Sequence, residues 1–390
     1  MKNHVAWYRK PMVTLIPLVL LFLVSLLAVY RAPTYHLWLL SIAVTEFSWV
    51  FALLAIILIS TIFWVQKYQL ASTLIGIAAL VLYLSPVVRA YVVSSTLKQE
   101  FNAAFGPGST FIRGDNTQSP FSFFKMFKGL GHGDVAYQTK EYINIDGERL
   151  TLDFYPARVA GKKPCLVVVH GGSWSSGNSK QLPELNSYLA NEGYNVAAIN
   201  YRMAPQYHNP APIEDVNNAL DYLRLHAEEL HIDTNNFVLL GRSAGGQVAM
   251  LAAYTQHNPG VKGVIDIYGP ADMAWGYSLP ASKLVMDSRG VMHRYLGGTY
   301  KKIPQKYKAS SPIEYVNKHT VPTLLIHGEN DVLVSPGHST RLVAKLQQNG
   351  VKHYYLKLPW ATHGFDYTMN GPGGQLSTYT IERFLSVVCK

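Results

Sequence analysis

The stretch that decides the fold of this chain is NFVLLGRSAGGQVAMLA, residues 236–252. An apolar run comes first, the pattern Gly-x-Ser-x-Gly follows at 241–245, and an alanine-rich segment begins at Ala244. A strand, a sharp turn and a helix in this order are the context that a nucleophilic serine requires. Glycine is expected on both sides of the serine, because a side chain would collide there with the neighbouring strand or helix. The stretch therefore predicts Ser243 as an exposed nucleophile at the edge of a sheet.

Alternating strand and helix signals extend from about Glu141 to the C-terminus. Strands are predicted at 142–145, 150–155, 165–170, 195–201, 237–240, 264–268, 323–327 and 354–358, and helices near 181–192, 212–228, 244–257, 338–349 and 374–387. A hairpin followed by repeated strand and helix units indicates an α/β fold, with a mostly parallel sheet covered by helices on both faces. We therefore assign 141–390 to one catalytic domain. The irregular segment 273–311 interrupts the pattern and is interpreted as a cap-like insertion over the site.

Two loops supply partners for the serine. Asp331 lies in the loop HGENDV after the seventh predicted strand, and His363 lies in the loop WATHGF after the last one. In acyl transfer a histidine accepts the serine proton, and a carboxylate holds the imidazole in the required tautomer. The chain order of serine, aspartate and histidine is the order found in the α/β-hydrolase arrangement. Glu329 is an alternative for the acid.

A further loop, VVVHGGSW, follows an early predicted strand and ends at Trp174. Gly171 and Gly172 let the backbone turn its N–H groups toward a substrate carbonyl, and the amide of Ala244 supplies a further donor. This loop and the serine turn are expected to meet at one edge of the sheet. Trp174 is compatible with a wall of the acyl pocket and equally with packing under the loop.

Five motifs follow one another in the predicted catalytic domain. They are HGGSW at 170–174, NYRMAP at 200–205, GRSAGG at 241–246, HGEND at 327–331 and HGF at 363–365. Together they resemble the hormone-sensitive-lipase-like and acetyl-esterase branch of the α/β-hydrolases, over about 141–390. The resemblance implies a carboxylesterase that acts on short- or medium-chain acyl esters without a metal or an organic cofactor. It implies the triad Ser243, Asp331 and His363, and the oxyanion hole Gly171, Gly172 and Ala244.

Two positions depart from the family pattern. Ser173 stands where lipase relatives usually have a third glycine, and Arg242 precedes the nucleophile where many relatives carry aspartate or histidine. We assign both residues, together with Trp174, to the substrate pocket. In the resembling family an arginine like Arg202 and an aspartate like Asp215 are structural, so an ion pair between them is expected.

Three uncharged apolar runs precede the catalytic domain, at 12–30, 48–65 and 71–88. Each is long enough for a helix that crosses a bilayer. We therefore predict a transmembrane region over 1–94 with three spans, and a cleavable signal peptide is the alternative for the first run. Residues 37–44 either extend the second span, which would bury Glu46 in the membrane, or lie at the interface or against another helix.

Charge predicts the topology and excludes one class of partner. Three basic residues, Lys2, Arg9 and Lys10, precede the first run, which places the N-terminus in the cytoplasm. Three spans then place the catalytic domain of this multi-pass integral membrane protein on the extracytoplasmic side. The net charge of +10 is spread along the chain without a basic run, so no nucleic-acid partner is expected. Cys165 and Cys389 lack metal-site spacing, so no metal is expected either.

The remaining segment, 95–140, is predicted as a linker between the two regions. Its aromatic part, 120–128, is compatible with a position in the lipid headgroup layer and equally with packing on the catalytic domain. The expected partners of the whole chain are a small-molecule or lipid ester and the bilayer itself, and no oligomeric state is predicted.

Three other functions remain open on the sequence alone. The first is an amide or peptide hydrolase of the same fold, of the arylformamidase or prolyl-oligopeptidase type, because His-Gly-Gly-x-Trp also occurs in formamidase relatives. The second is a non-catalytic binding module that uses a hydrolase fold. The third is a transacylase that moves acyl groups onto an acceptor alcohol.

Overall fold

A helical region precedes an α/β domain in this computed structural model, which describes residues 11–62, 68–106, 119–128, 133–145, 147–255 and 258–389. The helices before the sheet are α1 (Pro11–Ser25), α2 (Tyr35–Glu46), α3 (Ser48–Thr61), α4 (Gln69–Phe105) and the short α5 (Lys125–Lys128). Other predictions fall outside these residues: the end of the second span at 63–65, the basic residues before position 11, the linker parts 107–118 and 129–132, and Asp146 in the first hairpin.

One sheet of eight strands forms the centre of the α/β domain, in the order β1-β2-β4-β3-β5-β6-β7-β8. The strands are β1 (Gln138–Ile145), β2 (Glu148–Tyr155), β3 (Lys163–Val169), β4 (Asn195–Ile199), β5 (Ile232–Arg242), β6 (Val261–Ile267), β7 (Thr323–Gly328) and β8 (His353–Leu358). Strand β2 pairs antiparallel with β1 and β4, and the remaining pairs are parallel. The predicted mostly parallel sheet is confirmed.

Helices cover both faces of this sheet. They are α6 (Pro183–Asn191), α7 (Ala211–Leu225), α8 (Ala244–Thr255), α9 (Met273–Ser278), α10 (Ser288–Leu296), α11 (Pro304–Ala309), α12 (Gly337–Gln348) and α13 (Pro372–Val388). Along β3, Val167 and Val169 pack with α7, α8 and α12, whereas Leu166 and Val168 pack with α6, α13 and the end of α4. Burial on both faces explains why these strands read as continuous apolar runs. The segment 273–311 is not irregular as expected, since it contains α9, α10 and α11.

Among the described residues, only α4 is by itself long and apolar enough to cross a bilayer. Helices α2 and α3 reach that length together, but their axes meet at 84°. The apolar helix at 15–28 is shorter than a span. The three predicted spans are therefore not confirmed. What the structure supports is one helix of spanning length and composition, or two if the bent pair forms one span.

Helix α4 also crosses the predicted boundary between the membrane region and the linker. It continues without a break to Phe105, so residues 95–105, the start of the predicted linker, are helical. Its last turns are buried by the α/β domain: Phe101 contacts the ring of Tyr354, and Phe105 contacts that of Phe384. The linker prediction missed this, because polar residues separate the buried Leu97, Phe101 and Phe105, and the uncharged apolar run ends before them.

The aromatic segment 120–128 has two different sides. Phe121 is buried, and the backbone N–H of Ser122 donates to Oε1 of Gln375 in the α/β domain. Phe124 and Phe127 are 74% and 50% exposed. One side of the segment thus packs on the domain, and the other side presents aromatic rings to the outside.

Helix α2 lies against the α/β domain and ends at a buried carboxylate. Glu46 is 1% exposed, and its Oε2 accepts a hydrogen bond of 2.8 Å from the N–H of Gly373. That N–H belongs to the first turn of α13, where backbone donors have no acceptor within the helix. Of the alternatives for this part of the chain, the structure supports the one in which α2 is a separate helix and Glu46 faces another helix.

We expect Glu46→Ala to lower the free energy of unfolding by about 1–2 kcal/mol, because a buried N–H loses its acceptor. Denaturant unfolding of the purified full chain measures the loss. Glu46→Gln retains an acceptor oxygen of similar reach and is expected to lose less than half as much. Equal losses in the two variants would mean that the hydrogen bond to Gly373 does not stabilise the contact.

Candidate active site

Strand β5 leads into a sharp turn at Ser243, whose backbone is left-handed with a φ of 52°. Helix α8 begins at the next residue, Ala244. A Cβ on Gly241 would lie 2.1 Å from the carbonyl oxygen of Gly245, and a Cβ on Gly245 would lie 2.2 Å from that of Val169. No side chain tolerates such distances, so only glycine permits this approach of helix and strands. The structure thus contains the predicted strand, turn and helix around the serine.

Ser243, His363 and Asp331 form one chain of hydrogen bonds. Oγ of Ser243 lies 2.9 Å from Nε2 of His363, and Nδ1 of the same ring lies 2.7 Å from Oδ2 of Asp331. The carboxylate can only accept, so Nδ1 carries the proton and Nε2 accepts from the serine hydroxyl. The structure brings the three predicted residues together. The side chain of Glu329, the alternative acid, is exposed to solvent.

The carboxylate of Asp331 is fully buried and surrounded by donors. Its Oδ1 accepts from the N–H groups of Leu333 and Val334, at 2.8 and 2.9 Å. Nε2 of His327 lies 3.2 Å from its Oδ2. Burial by itself would raise the pKa of Asp331, but the imidazoles of His363 and His327 hold that pKa well below its usual range. Asp331 is therefore ionised at neutral pH, and His327, in strand β7, is one of its partners.

A buried network supports the imidazole of His363 from behind. The ring of Tyr268 lies 4.3 Å from the imidazole, and its hydroxyl donates to Asp366. Arg242 is 2% exposed and donates from Nε to Oδ2 of Asp366 at 2.6 Å. Arg242 is not among the residues that line the cavity at Ser243, which corrects its assignment to the substrate pocket. Its partner is 124 positions away, so no local pattern could indicate it.

The loop after β3 approaches the serine but does not offer all the donors that were expected. Nδ1 of His170 donates to the carbonyl oxygen of Gly171, and burial lowers the pKa of His170 to about 4, so its ring is neutral. The N–H of Gly171 donates to Oε1 of Gln181 at 2.7 Å. This bond corrects the assignment of Gly171 as an oxyanion donor. Gly172 and Ser173 follow with positive φ values of 118° and 55°.

A cavity of about 490 Å³ opens beside Ser243. Ser173, Trp174 and Ala244 line it, as the sequence predicted for the first two. Trp174 also stacks on Tyr295 with 4.3 Å between the ring centroids, so it both lines the cavity and packs under the loop. The described part of the chain contains no group of three or more His, Cys, Asp or Glu side chains arranged to hold a metal.

The N-terminal helices contribute directly to this site. Nε1 of Trp38 in α2 donates to the carbonyl oxygen of His363 at 2.9 Å, and Nη2 of Arg31 donates to the carbonyl oxygen of Glu329 at 2.9 Å. Residues 31–33 line the cavity together with the insertion. The sequence analysis missed these contacts, because the partners are about 300 positions apart and neither segment carries a motif.

The expected ion pair in the α/β domain is present. Nε of Arg202 donates to Oδ1 of Asp215 at 2.9 Å, and Asp215 is fully buried. The pair lies outside the hydrogen-bond chain of Ser243, so the prediction of a structural role for it is consistent with its position.

Comparison with known proteins identifies the family. Residues 152–346, half of the chain, match the model of the BD-FAE family. The chain belongs to the BD-FAE family. Two curated relatives from Mycobacterium tuberculosis are the probable carboxylic ester hydrolase LipM, 28% identical over 70% of this chain, and the esterase LipC, 31% identical over 58%. The chain spans 65% and 58% of the lengths of these two relatives.

Solved structures agree on the fold of this BD-FAE chain. A truncated carbohydrate esterase from gut microbiota is 22% identical, with a TM-score of 0.53, and the match covers 65% of this chain and 99% of the other. Esterase Est2 of Thermogutta terrifontis is also 22% identical, with a TM-score of 0.53 and a coverage of 63% and 89%. The predicted α/β-hydrolase fold and the resemblance to its esterase branch are confirmed.

The serine turn gives a direct stability test. We expect Gly245→Ala to lower the free energy of unfolding by about 3 kcal/mol or more, because its Cβ would overlap the carbonyl oxygens of Val169 and His170. Gly133→Ala is the control, since a Cβ there has no atom within 4 Å. Thermal unfolding of both variants measures the difference. Similar unfolding temperatures would contradict the close packing of α8 on β3.

Proposed function

We propose that the protein is a serine carboxylesterase that cleaves short- or medium-chain acyl esters. The observation that carries this proposal is the hydrogen-bond chain from Ser243 through His363 to Asp331, beside an open cavity. The names of the relatives LipM and LipC, a probable carboxylic ester hydrolase and an esterase, support the same reaction class.

In the proposed reaction, Oγ of Ser243 attacks the ester carbonyl carbon while Nε2 of His363 takes its proton. Asp331 remains ionised and stabilises the imidazolium that forms. The negative carbonyl oxygen accepts from the amide of Ala244 at the start of α8 and from the amides of Gly172 and Ser173. His363 then protonates the leaving alcohol, and water attacks the acyl-enzyme by the same route. Gly171 is left out of this oxyanion hole because Gln181 occupies its N–H.

We also propose that the N-terminal helices attach the enzyme to a bilayer. Large apolar side chains on α1, α3 and the first two thirds of α4 are about half exposed or more, among them Ile16, Leu20, Leu23, Leu53, Ile56, Leu70, Leu74, Val81, Val88 and Val92. Aqueous surfaces rarely carry so many apolar side chains in one region, and such a surface is typical of contact with lipid. The position of the catalytic domain on the extracytoplasmic side stays a prediction.

The proposed nucleophile is tested with a fluorophosphonate probe and a short-chain aryl ester. We expect the parent protein to be labelled and to hydrolyse the ester. We expect Ser243→Ala and His363→Ala to lose the labelling, and their kcat for the ester to fall by roughly 10⁴-fold or more. Each variant removes one reacting group. Unfolding curves of the variants check that the fold is intact. Full ester hydrolysis by Ser243→Ala would refute the proposal.

The proposed acid is tested by a matched pair of isosteric changes. Asp331→Asn keeps the size of the side chain but presents a neutral amide to Nδ1 of His363, so we expect kcat to fall by roughly 10⁴-fold. Glu329→Gln removes the charge of the alternative acid, two positions away and exposed, and is expected to leave kcat within about twofold. The opposite ranking of the two variants would make Glu329 the acid.

One observation keeps an amide hydrolase as a second candidate. An uncharacterised peptidase of Bacillus subtilis, YtmA, is 35% identical over 35% of this chain and 50% of its own length. Rates on a matched ester and formamide, measured with one enzyme sample, separate the two functions. A faster formamide reaction would assign the same triad to amide hydrolysis.

A further inference from the structure

The cavity at Ser243 has walls from two regions that are far apart in the sequence. Residues 31–33 come from the connection between α1 and α2, and Leu279, Val285 and Met286 come from the insertion of the α/β domain. The two walls are joined by a hydrogen bond of 3.0 Å from the N–H of Tyr35 to the carbonyl oxygen of Leu284. The cavity is therefore complete only when the N-terminal helices are docked on the α/β domain.

The lining of this cavity suits a hydrocarbon chain. Apolar side chains dominate it, including Met273, Leu279, Val285, Met286, Met292 and Leu333. Its volume of about 490 Å³ lies in the range of pockets that enclose a whole small ligand. The buried imidazole of His338 is held neutral, because burial lowers its pKa to about 3. Apart from the triad residue Asp331, the charged residue on the cavity lining is Arg31, which is exposed.

The mouth of the cavity is marked by exposed lining residues, and several of them are apolar. Pro33 is exposed on one side, and Leu279 and Pro280 are exposed on the other. Leu279 is 57% exposed, and the neighbouring Leu284 is 69% exposed. Tyr35 and Leu39, on the adjoining first turns of α2, are 46% and 44% exposed. An apolar rim around an apolar cavity is typical of a site that meets a lipid surface.

The position of this mouth relative to a bilayer follows from α1. Helix α1 (Pro11–Ser25) and the 3₁₀ turn at Leu26–Ala28 end just before the cavity wall at 31–33, and this apolar helix is shorter than a full span. Its outer face carries Ile16, Leu20 and Leu23, each more than half exposed. Tyr30 and Arg31 follow, and tyrosine and arginine are the residues preferred at the headgroup level. Residues 31–33 of the cavity wall therefore lie at that level when α1 is in the bilayer.

From these observations we propose that the substrate is an acyl ester resident in the bilayer, which enters the cavity between residues 31–35 and 279–286. The acyl chain passes from the lipid into the apolar cavity, and its ester carbonyl reaches Ser243 without crossing bulk water. Arg31 lies at the mouth, where the polar part of such a lipid remains. This inference rests on the proposed esterase function and assigns a substrate class to the same site.

The test uses the purified full chain in phosphatidylcholine vesicles that contain a medium-chain diacylglycerol, together with a water-soluble aryl acetate. We expect the parent to release fatty acid from the vesicles. Leu284→Asp places a charge on the rim but not on the cavity lining. It is expected to reduce release from vesicles by about tenfold and to leave aryl acetate hydrolysis within about twofold.

Leu225→Asp is the matched control. Leu225 is 82% exposed at the end of α7 and lies close to Ile232, where β5 begins, at the sheet edge opposite Ser243. We expect this variant to hydrolyse both substrates like the parent. Two results would overturn the membrane-substrate inference alone. One is an equal effect of Leu284→Asp and Leu225→Asp on vesicle hydrolysis. The other is a parent protein that hydrolyses the aryl acetate but releases no fatty acid from the vesicles. A parent inactive on both substrates would overturn the proposed esterase function itself.

Discussion

The close contact of α8 with β3 and β5 is the constraint on which the site depends. Gly241 and Gly245 lie so near the opposing carbonyl oxygens that no Cβ fits at either position. Because the helix starts at once, Ser243 must take a left-handed backbone conformation, which a serine adopts only under strain. The packing of the helix on the sheet offsets the energy of that strain. As a result the hydroxyl of Ser243 projects from the turn, with the free N–H groups of a helix N-terminus beside it.

The parallel register of the sheet carries this constraint to the rest of the site. Val169 pairs with Gly241, Arg242 pairs with Ile267, and Ile267 pairs with Ile326, so the loops after β3, β5, β6 and β7 begin at one edge. The N–H of Ser243 donates to the carbonyl oxygen of Ile267 at 2.9 Å, which fixes the turn to β6. Tyr268, the residue directly after that strand, then contacts the imidazole of His363. The position of the catalytic base His363 is thus set through the neighbouring strands β5, β6 and β7.

The sequence predicted those features that depend on local pattern. Buried parallel strands are continuous apolar runs, and the loops with Ser243, Asp331 and His363 each carry glycine near a polar residue, so both could be found without a structure. Long-range pairs left no such signal. The partner of Arg242 is Asp366, and the acceptor for the N–H of Gly171 is Gln181. In both cases the protein itself uses a donor, a guanidinium or a backbone N–H, that had been assigned to the substrate or the oxyanion. Chain order cannot reveal that competition, because it depends on which acceptor lies nearest in space.

The same argument applies to the N-terminal helices, which the sequence predicted as a transmembrane region without indicating any contact with the active site. A flexible tether would join such a region to the enzyme through a polar, glycine-rich linker. Here α4 enters the core of the α/β domain as one continuous helix, Glu46 accepts from the first turn of α13, and Trp38 donates to the backbone of His363 itself. These contacts are buried or partly buried and come from separate elements, so the helices hold a fixed orientation to the catalytic loops. Under the proposed attachment to a bilayer, helices fixed in this way also set the orientation of the cavity relative to that bilayer.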